Sequence, residues 1–434
     1  MPSRPSARAC HALEAASVAL GLLGAGLATV SGGTAPAQAA EHVSIRVTDS
    51  HGAETQRQPE ARQANAIDQR LQDRLAAKMS HATARHYGLV VDIAGVGRVA
   101  SIAPGRALRP ASTQKMFTTL PLLLRRPARR LVTDVASAHQ PVNGVVPGDL
   151  VLRVSADPTL TRADVNDLAR QVRAAGIHRV TGKLLLDIGS LPQNTRQPGW
   201  KADFVPADIG PLSPFPVDRD TWRTDSAYLS HPTRGNLRNF RHRLEVHGVH
   251  VAGASEIVRS SKAAVVVASH QAAPLTSIIK HTLRQSDNFY AESLLAVAGG
   301  HAAVSKMESA AGVTGTSIAT DGSGLSYDDR ETAQGEVQLL HYADAGPASA
   351  DFRSSLPVGC RSGTLKDRFC HTIGAGKVFA KTGTLDHSRA LSGYTIDGNG
   401  RVVTFSVICG GVRDLGAAGA AIDKAVLVLR GYSR

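Results

Sequence analysis

Three short motifs contain the residue types of a serine nucleophile and the groups that would activate it. The first is Ser112-Thr-Gln-Lys115, which follows Pro110 and precedes an apolar, helix-compatible run. If a helix begins at about Ser112, both side chains lie on one helix face, at the positive end of the helix dipole. A serine hydroxyl needs a neighbouring base, and a lysine can act as one when burial or another cation lowers its pKa. The pattern alone is weak, because Ser277-Ile-Ile-Lys280 repeats it on what we interpret as an ordinary helix face.

The second motif, Ser286-Asp-Asn288, carries a hydroxyl and an amide on nearby positions. In a non-helical turn both side chains can point the same way, so that the hydroxyl relays a proton and the amide binds a carbonyl. The alternative is a helix N-cap, in which Ser286 or Asp287 begins a helix that continues through Leu295. Viewed alone, the motif is compatible with both interpretations.

The third motif, Lys381-Thr-Gly-Thr384, ends the apolar run that begins at Val378. Gly383 would let the backbone of a ligand approach the strand closely. The lysine and the hydroxyls of Thr382 and Thr384 can hold a carboxylate. The motif therefore predicts a ligand-binding strand.

The elements that must position these motifs form a catalytic unit interrupted by an insert. We predict a helix near residues 67–81, a hairpin from the apolar runs at 88–93 and 97–102, and a second helical region from Leu275 to Ala298. Three strands and a helix follow residue 378, and we expect the hairpin and these strands to share one antiparallel sheet.

The segment between about 136 and 264 has a different pattern, with short Val/Leu strands, one helical stretch from Thr161 to Ala175, and Pro-rich loops. We interpret it as an inserted accessory domain. The predicted organisation is a signal peptide (1–39), a flexible spacer (40–64), the first part of the catalytic domain (65–135), the inserted accessory domain (136–264) and the second part of the catalytic domain (265–434).

The first 39 residues have the pattern of a secretory signal peptide. Arg4 and Arg8 form a basic region, residues 15–30 carry no charge, and small residues precede a predicted cleavage after Ala39. The alternative, an uncleaved membrane anchor, needs roughly 20 strongly apolar residues. This run is rich in Ala and Gly and is broken by Gly32-Gly33, so we predict export to the periplasm or the extracellular cell-wall space.

The net charge of +13 on 434 residues attracts polyanions. A hydrophobic fraction of 42% and a charged fraction of 20% are those of a globular protein, which argues against a disordered or multi-span membrane chain. Because an exported protein rarely meets nucleic acid, we expect no nucleic-acid partner and interpret the charge as affinity for an anionic cell wall.

The cysteines and histidines give little support to thiol or metal chemistry. Cys360 and Cys370 flank a short loop that a disulfide could close in an oxidising compartment, or they are free thiols. Cys409, inside an apolar run, is interpreted as a buried strand thiol. We expect no metal and no cofactor, since His-Glu-x-x-His is absent and the neighbouring histidines lack further ligands and are interpreted as surface residues: His242, His247 and His250.

The ordered set of Ser-x-x-Lys, Ser-Asp-Asn and Lys-Thr-Gly resembles the penicillin-binding protein and serine β-lactamase superfamily. A narrower set is similar to the low-molecular-mass class C penicillin-binding proteins, the D-alanyl-D-alanine carboxypeptidase/endopeptidase family. It comprises Pro110-Ala-Ser-Thr-Gln-Lys, Gly148-Asp-Leu, Ala156-Asp-Pro-Thr-Leu, Ser286-Asp-Asn with Ala291-Glu, Asp321-Gly-Ser-Gly-Leu-Ser and Ala380-Lys-Thr-Gly-Thr-Leu. The likeness covers nearly all of residues 65–434.

Two features depart from the family pattern. The stretch between Ser112 and Ser286 is shorter than the family's full two-domain insert, so we expect the smaller accessory domain to be reduced or missing. Ser155-Ala156 stands where the family usually has a Gly pair. The fold that the resemblance implies is α/β (α+β): a β-lactamase/transpeptidase-like antiparallel sheet flanked by helices, with an inserted accessory domain.

The resemblance also implies a role for each motif side chain. Ser112 would attack the carbonyl between the two D-alanines of a peptidoglycan stem peptide, and Lys115 would take its proton. Ser286 with Lys381 would pass a proton to the departing D-alanine, and Asn288 would hold the substrate amide and orient Lys115. The substrate carboxylate would bind at Lys381, Thr382 and Thr384 beside Gly383, and the backbone N–H groups of Ser112 and Thr384 would form the oxyanion hole. Cationic Lys381 would help to keep Lys115 neutral, and β-lactams would acylate Ser112.

Two other functions are compatible with parts of the sequence. A serine β-lactamase of class A would carry a deacylating glutamate in a Glu-x-x-Leu-Asn loop, whereas Glu292-Ser-Leu-Leu-Ala lacks the Asn, so slow deacylation of penicillin is predicted. A catalytically idle wall-binding homologue would not need its motif side chains, and all of them are present. The sequence does not separate carboxypeptidase from endopeptidase action, because both break a bond that ends at D-alanine.

Overall fold

The computed structural model describes residues 67–125, 129–221 and 228–433. The predicted signal peptide (1–39), its cleavage after Ala39 and the predicted spacer (40–64) lie outside the described residues. Within the described ranges, no helix is both long and apolar enough to cross a membrane. The described residues belong to one compact unit, Glu60–Arg434.

Helices and short strands alternate along this unit. The helices are α1 (Gln69–Met79), α2 (Gln114–Arg125), α3 (Arg162–Ala174), α4 (Phe204–Ala207), α5 (Pro232–Val246), α6 (Leu275–Gln285), α7 (Asn288–Ala298), α8 (His301–Ala310), α9 (Ala333–Ala345), α10 (Ser349–Ser355) and α11 (Leu415–Arg430). The strands are β1 (His86–Ile93), β2 (Gly97–Ile102), β3 (Arg130–Ser137), β4 (Val145–Val146), β5 (Leu150–Arg153), β6 (Arg179–Val180), β7 (Leu184–Asp187), β8 (His250–Val251), β9 (Ser255–Val258), β10 (Val265–Pro274), β11 (Phe379–Leu385), β12 (Ser388–Ile396) and β13 (Val402–Gly410).

One antiparallel sheet joins the two ends of the described chain. Its strand order is β11-β12-β13-β1-β2, so the first hairpin pairs with the three C-terminal strands. In the central pair, Leu89 of β1 lies opposite Val407 of β13. Most residues of β13 are apolar, without alternation of polar and apolar positions, because helices cover both faces of the sheet. The predicted shared sheet is confirmed, as is the fold class of an antiparallel sheet flanked by helices.

Helices on the two faces of this sheet build two cores. On one face, Leu71 of α1 and Ile422 of α11 pack in one cluster with Phe405 of β13. The other cluster contains helix α2 and helices α6 to α10, with Phe117 and Phe352 among its fully buried side chains. Each such side chain contributes roughly 1.5–3 kcal/mol on leaving water. The helix that begins with the Ser112 motif is thereby fixed against the sheet.

A buried carboxyl group adds a polar connection at the same place. Glu336 of α9 accepts hydrogen bonds from the hydroxyls of Thr113, Ser392 and Ser406. Burial raises the pKa of Glu336. A polar group at this depth is tolerated because its partners are in place. The contact holds the turn that carries Ser112 against strand β12.

The insert contains a second sheet, with the strand order β10-β3-β5-β7-β9. β10, β3 and β5 are antiparallel, whereas β5, β7 and β9 are parallel. A small parallel sheet, β4-β6-β8, lies in the same segment. Helices α3 and α5 pack on these strands around a core that includes Leu152, Leu168 and Phe240.

Two strands of the second sheet, β3 and β10, lie partly or wholly outside the expected insert, 136–264. β3 begins at Arg130 and pairs with β10, which runs to Pro274, and Ser137 lies opposite Val265. Because hydrogen-bonded neighbours belong to one sheet, a boundary at 136 or 264 would divide it. We propose that the insert spans Arg130–Pro274.

Two helices of this segment were not expected from the sequence, the single turn α4 and the longer helix α5. The expectation of one helical stretch, Thr161 to Ala175, is confirmed for α3 but is wrong for the insert as a whole. The buried side chains Leu237, Phe240 and Leu244 recur at the helical spacing of three and four, but Arg, Asn and His separate them. The helical spacing of these three residues was the signal in the sequence that could have identified α5.

The cysteine predictions are resolved by the structure. Cys360 and Cys370 form a disulfide, which closes the loop before β11. Cys409 is buried on β13, as predicted, and burial raises the pKa of its thiol to about 12. A thiol of this kind is not a nucleophile at neutral pH.

Candidate active site

The Ser112-Thr-Gln-Lys115 motif forms the beginning of helix α2. Ala111–Thr113 is a 3-10 turn that continues into the helix at Gln114. Lys115 Nζ and Ser112 Oγ are hydrogen-bonded at 2.9 Å. Lys115 is fully buried, whereas Ser112 is partly exposed. The structure brings the two side chains together, as their spacing predicted.

The Ser286-Asp-Asn288 motif lies in a break between helices α6 and α7. Ser286 has the left-handed φ of 58°, which ends α6, and Asp287 caps α7 by accepting a hydrogen bond from Tyr290 N at 3.1 Å. The predicted helical region from Leu275 to Ala298 is therefore two helices rather than one. Both interpretations of the motif apply, because Asp287 is the cap of α7 while Ser286 and Asn288 line a cleft that also contains Ser112.

Asn288 connects this break to helix α2. Its Oδ1 accepts a hydrogen bond from Lys115 Nζ at 2.8 Å, and its Nδ2 donates one to Asp208 O at 3.1 Å. Lys115 Nζ donates a further hydrogen bond to the backbone oxygen of Ser323 at 2.6 Å. Three groups from different parts of the chain thus surround the amine of Lys115.

Lys381 lies on β11 and is fully buried. Its Nζ donates hydrogen bonds to Ser286 Oγ and to Thr382 O, each at 2.8 Å. The expected reason for Gly383 was the approach of a ligand, but a Cβ at this position would lie 2.4 Å from Pro110 O. The close approach that requires glycine is that of the chain just before Ser112.

Thr382 and Thr384 of the Lys381-Thr-Gly-Thr384 motif line the same cleft as Ser112. Thr382 Oγ1 is hydrogen-bonded to Thr364 Oγ1 at 2.7 Å, and Thr384 Oγ1 accepts a hydrogen bond from Arg389 Nη1 at 2.6 Å. The cleft has a volume of about 510 Å³. The motif residues that line it are Ser112, Ser286, Asn288, Thr382 and Thr384. The other lining residues are Phe204, Asp208, Leu325, Thr364, Arg368, Leu385, Asp386, Arg389 and Leu415.

Burial controls the charge state of both lysines. It lowers the pKa of Lys115 to about 8, against the attraction of Asp321 and Glu292, which raises it. Burial also lowers the pKa of Lys381 well below its usual range, and repulsion from Lys115 adds to that effect. We expected Lys381 to keep Lys115 neutral by repulsion. In the structure, loss of hydration is the main cause of the lowered pKa of Lys115. The repulsion between the two lysines lowers the pKa of Lys381.

The loop of residues 321–326, which was notable in the sequence only as part of the family resemblance, supplies the backbone oxygen that accepts a hydrogen bond from Lys115. Asp321 accepts hydrogen bonds from the backbone N–H groups of Ser323, Gly324 and Ser326, and from Trp200 Nε1 at 2.7 Å. The Asp-Gly-Ser-Gly composition is typical of a turn. No local signal shows that the Ser323 carbonyl of this turn reaches Lys115.

Glu292 supports the same loop from helix α7. Its Oε1 accepts hydrogen bonds from the N–H groups of Gly322 and Ser323 at 3.0 and 2.8 Å, and its Oε2 accepts one from Gln197 Nε2 at 3.0 Å. Burial, followed by repulsion from Asp321, raises the pKa of Glu292 to about 8. From the sequence, Glu292 stood out only as part of the Ala291-Glu pattern of the resemblance and as a residue that lacks the context of the class A deacylating glutamate.

The second Ser-x-x-Lys pattern and the three histidines considered in the sequence do not line the cleft. Ser277 and Lys280 are exposed on helix α6, which confirms their interpretation as an ordinary helix face. His242 and His250 are exposed, and half-buried His247 is hydrogen-bonded to Asn166 Oδ1 at 3.1 Å. These residues are separate from the cleft residues named above.

The sequence matches one peptidase family along nearly the whole described chain. The profile of the D-Ala-D-Ala carboxypeptidase 3 (S13) family matches residues 63–232 and 224–430. The carboxypeptidase DacB of Mycolicibacterium smegmatis is 32% identical over 74% of this chain and 75% of its own length. A D-alanyl-D-alanine carboxypeptidase of an Actinomadura species is 27% identical over 78% of this chain and 80% of its own length.

Solved structures share the fold. The crystal structure of penicillin binding protein 4 from Haemophilus influenzae matches with a TM-score of 0.73 over 82% of this chain and 99% of that chain, at 20% identity. A predatory peptidoglycan endopeptidase from Bdellovibrio bacteriovorus matches with a TM-score of 0.53 over 78% of this chain and 90% of that chain, at 19% identity. The chain therefore belongs to the D-Ala-D-Ala carboxypeptidase 3 (S13) family and is a low-molecular-mass class C penicillin-binding protein with D-Ala-D-Ala carboxypeptidase activity.

Proposed function

We propose that this protein is an exported serine-type D-Ala-D-Ala carboxypeptidase that cleaves peptidoglycan stem peptides through an acyl-enzyme on Ser112, and that β-lactams acylate the same serine. The observation that carries the proposal is the set of contacts around one amine: Lys115 Nζ lies 2.9 Å from Ser112 Oγ, 2.8 Å from Asn288 Oδ1 and 2.6 Å from Ser323 O.

These contacts fit a neutral lysine that acts as a base. A neutral amine has two N–H donors and one lone pair, whereas an ammonium has three donors and no lone pair. Asn288 Oδ1 and Ser323 O are acceptors in these contacts, so they can take both N–H groups. The lone pair is then left for the hydroxyl proton of Ser112. Burial of Lys115, which lowers its pKa to about 8, favours this form.

In the acylation step, Ser112 Oγ forms a bond to the scissile carbonyl carbon while its proton moves to Lys115 Nζ. The backbone N–H groups of Ser112 and Thr384 donate hydrogen bonds to the developing oxyanion. A donor of this kind typically contributes about 3–4 kcal/mol to transition-state stabilisation. Asn288 also orients the amide of the substrate.

Collapse of the intermediate breaks the C–N bond and requires a proton on the leaving amine. Ser286 Oγ donates that proton while Lys381 Nζ, at 2.8 Å, orients the hydroxyl, and the proton that Lys115 took from Ser112 returns to Ser286, which leaves Lys115 neutral again. Thr382, Gly383 and Thr384 bind the leaving D-alanine. Water then attacks the acyl ester, neutral Lys115 accepts a proton from the water, and it passes this proton to Ser112 Oγ as the ester C–O bond breaks.

Export and wall association complete the proposal. The support for export is the signal-peptide pattern of residues 1–39, and the support for wall association is the net charge of +13. In a secreted preparation we expect a mature N-terminus at Ala40, which N-terminal sequencing would identify.

The decisive experiment combines labelling with product analysis. Wild-type protein should be labelled covalently by a fluorescent penicillin, turn the penicillin over slowly, and release D-alanine from an uncross-linked muropeptide. Ser112→Ala should abolish both labelling and release. Labelling that persists in Ser112→Ala, or an unlabelled wild type, would overturn the proposal. A cross-linked muropeptide in parallel reports any endopeptidase activity.

A further inference from the structure

Arg219, a residue of the insert, contacts the middle residue of the Ser286-Asp-Asn288 motif. Its Nη1 and Nη2 donate hydrogen bonds to Asp287 Oδ2 and Oδ1 at 2.6 and 3.0 Å. A guanidinium and a carboxylate in this two-pronged arrangement form a strong and directional ion pair. The sequence did not single out Arg219, because its partner lies 68 positions later in the chain.

The carboxylate of this ion pair is largely shielded from water. The side chain of Asp287 is 8% exposed, whereas that of Arg219 is 44% exposed. Burial raises the pKa of Asp287, but the hydrogen bonds that it accepts, those of Arg219 first, bring the pKa below its usual range. Asp287 is therefore charged at neutral pH, and a buried carboxylate of this kind needs a cation beside it.

Asp287 lies between two groups of the proposed mechanism. Ser286 Oγ is hydrogen-bonded to Lys381 Nζ, and Asn288 Oδ1 accepts a hydrogen bond from Lys115 Nζ. Ser286 also has a left-handed φ of 58°, a conformation that a serine rarely adopts unless its surroundings hold it. A contact that fixes Asp287 therefore fixes the backbone from which both side chains extend.

A second side chain, His281, also contacts Asp287, with its Nε2 3.2 Å from Oδ2. His281 belongs to α6, the helix that ends at the motif, so this contact does not tie the motif to another part of the fold. Two contacts from the insert do. One is the ion pair of Arg219, and the other is the hydrogen bond from Asn288 Nδ2 to Asp208 O at 3.1 Å.

The turn that presents Arg219 has a strained backbone. Asp218, Arg219 and Asp220 have left-handed φ values of 46°, 60° and 61°. Three such residues in succession persist only where surrounding contacts hold them. Asp218 Oδ2 accepts a hydrogen bond from Arg162 Nη1 at 2.6 Å, and Asp220 Oδ1 accepts one from Asn236 Nδ2 at 2.7 Å. The insert thus anchors both neighbours of Arg219, while the Arg219 side chain reaches out to the motif.

Aromatic rings further restrict the position of the guanidinium. Arg219 Cζ lies 5.4 Å from the ring centre of Phe289 and 5.7 Å from that of Tyr290. A cation over an aromatic face is attracted to it, and Phe289 is fully buried and fixed. Both rings directly follow the motif in the first turn of α7, so they hold the arginine and Asn288 in one arrangement.

We propose that Arg219 is a positioning residue, supplied by the insert, that holds Ser286 and Asn288 in the geometry that the reaction needs. Arg219 does not line the cleft, so it acts through Asp287. The inference rests on the proposed function and gives the insert a part in it, because one side chain of the insert sets the second motif of the catalytic unit.

The test is a double-mutant cycle of Arg219→Gln and Ser286→Ala. The measurement is the second-order rate at which a fluorescent penicillin labels Ser112. The label accumulates, so slow variants stay measurable, and its endpoint counts the competent molecules in each preparation. A variant that merely folds less well therefore shows a lower endpoint and an unchanged rate.

The matched control is Arg353→Gln. Arg353 also forms an ion pair with an aspartate, Asp344, at 2.6 Å, and its Cζ lies 4.2 Å from the ring centre of Tyr394. It does not line the cleft. Its substitution removes the same charge and the same types of contact at a place that the proposal does not involve.

Arg219→Gln should slow labelling by roughly tenfold to a hundredfold, since a displacement of about 1 Å at a reacting group can cost about 10²-fold. In the Ser286→Ala background the loss should be at least about fivefold smaller, because the hydroxyl that Arg219 positions is already absent. Arg219→Lys should recover part of the rate, since it keeps the charge but not the two-pronged geometry. Arg353→Gln should keep the wild-type rate.

The outcomes separate the inference from the proposed function. A loss of equal size in both backgrounds, an unchanged rate in Arg219→Gln, or an equal loss in Arg353→Gln would overturn the positioning role while the carboxypeptidase proposal stands. If wild type takes no fluorescent penicillin on Ser112, the proposed function fails, and the inference fails with it.

Discussion

Lys115 Nζ and the backbone oxygen of Ser323 lie 2.6 Å apart, and this contact joins helix α2 to a loop 208 positions later in the chain. The acceptor is a carbonyl, so its position depends on the backbone of the loop and not on the Ser323 side chain. Asp321 and Glu292 hold that backbone through their hydrogen bonds to its N–H groups. The geometry of the proposed base therefore depends on a turn that contributes no side chain to the proton transfer.

The tightest point of this turn is Gly324, and Gly324→Ala should damage the site. Gly324 has a φ of +80°, and a Cβ there would lie 1.9 Å from Ala111 O, next to Ser112. We expect a loss of more than about 2 kcal/mol of unfolding free energy and a lower acylation rate. Denaturant unfolding and penicillin labelling measure the two effects. Gly105→Ala is the matched control, because a Cβ at Gly105 meets nothing within 4 Å; equal effects in both variants would contradict the prediction.

Acylation of Ser112 should accelerate as pH rises through about 8. The pKa of Lys115 is lowered to about 8, so below that pH the lysine is increasingly protonated and cannot accept the serine proton. The neutral fraction falls about tenfold for each pH unit well below the pKa. The measurement is the second-order rate of labelling by a penicillin, whose carboxylate stays ionised, from about pH 6 to about pH 9. A rate that does not change over this range would contradict the role of Lys115.

Ser286→Ala should slow turnover of the D-Ala-D-Ala peptide by roughly 10²–10⁴-fold, the usual contribution of a positioned proton donor. The reason is that the leaving amine would lose the hydroxyl that donates its proton and that Lys381 Nζ orients. Ser277→Ala is the matched control, since Ser277 is an exposed serine on the neighbouring helix. Peptide hydrolysis by the two variants under the same conditions checks the prediction, and a Ser286→Ala enzyme as active as Ser277→Ala would refute it.

Removal of the disulfide in a Cys360→Ser/Cys370→Ser double variant should lower the free energy of unfolding by about 2–3 kcal/mol. The loop that it closes also carries Thr364, whose hydroxyl is hydrogen-bonded to Thr382, so KM for the peptide should rise. Denaturant unfolding and steady-state kinetics measure both. A reducing agent should destabilise wild type and leave the double variant unchanged; an equal response of the two proteins would contradict the assignment of the effect to this bond.

The sequence determined the parts of this protein that depend on local patterns. The periods of apolar residues were sufficient for the hairpin, the late strands and helix α11, because neighbours along the chain create the amphipathic faces. Residue type and spacing singled out Ser112, Lys115, Ser286, Asn288 and Lys381, since such combinations of hydroxyl, amine and amide groups are rare in the same order. Helix α5 was not predicted because polar residues separate its buried side chains Leu237, Phe240 and Leu244.

The tertiary structure decided what depends on contacts between distant segments. The pairing of β3 with β10 is the basis for the limits that we propose for the insert, and no local pattern states which strands become neighbours. Gly383 is required by the approach of Pro110 O, a contact between segments far apart in sequence. The low pKa of Lys115 follows from its burial, which the attraction of Asp321 and Glu292 opposes. Hydration and charge balance are properties of the folded surroundings, so the sequence named the reactive groups and the fold determined their state.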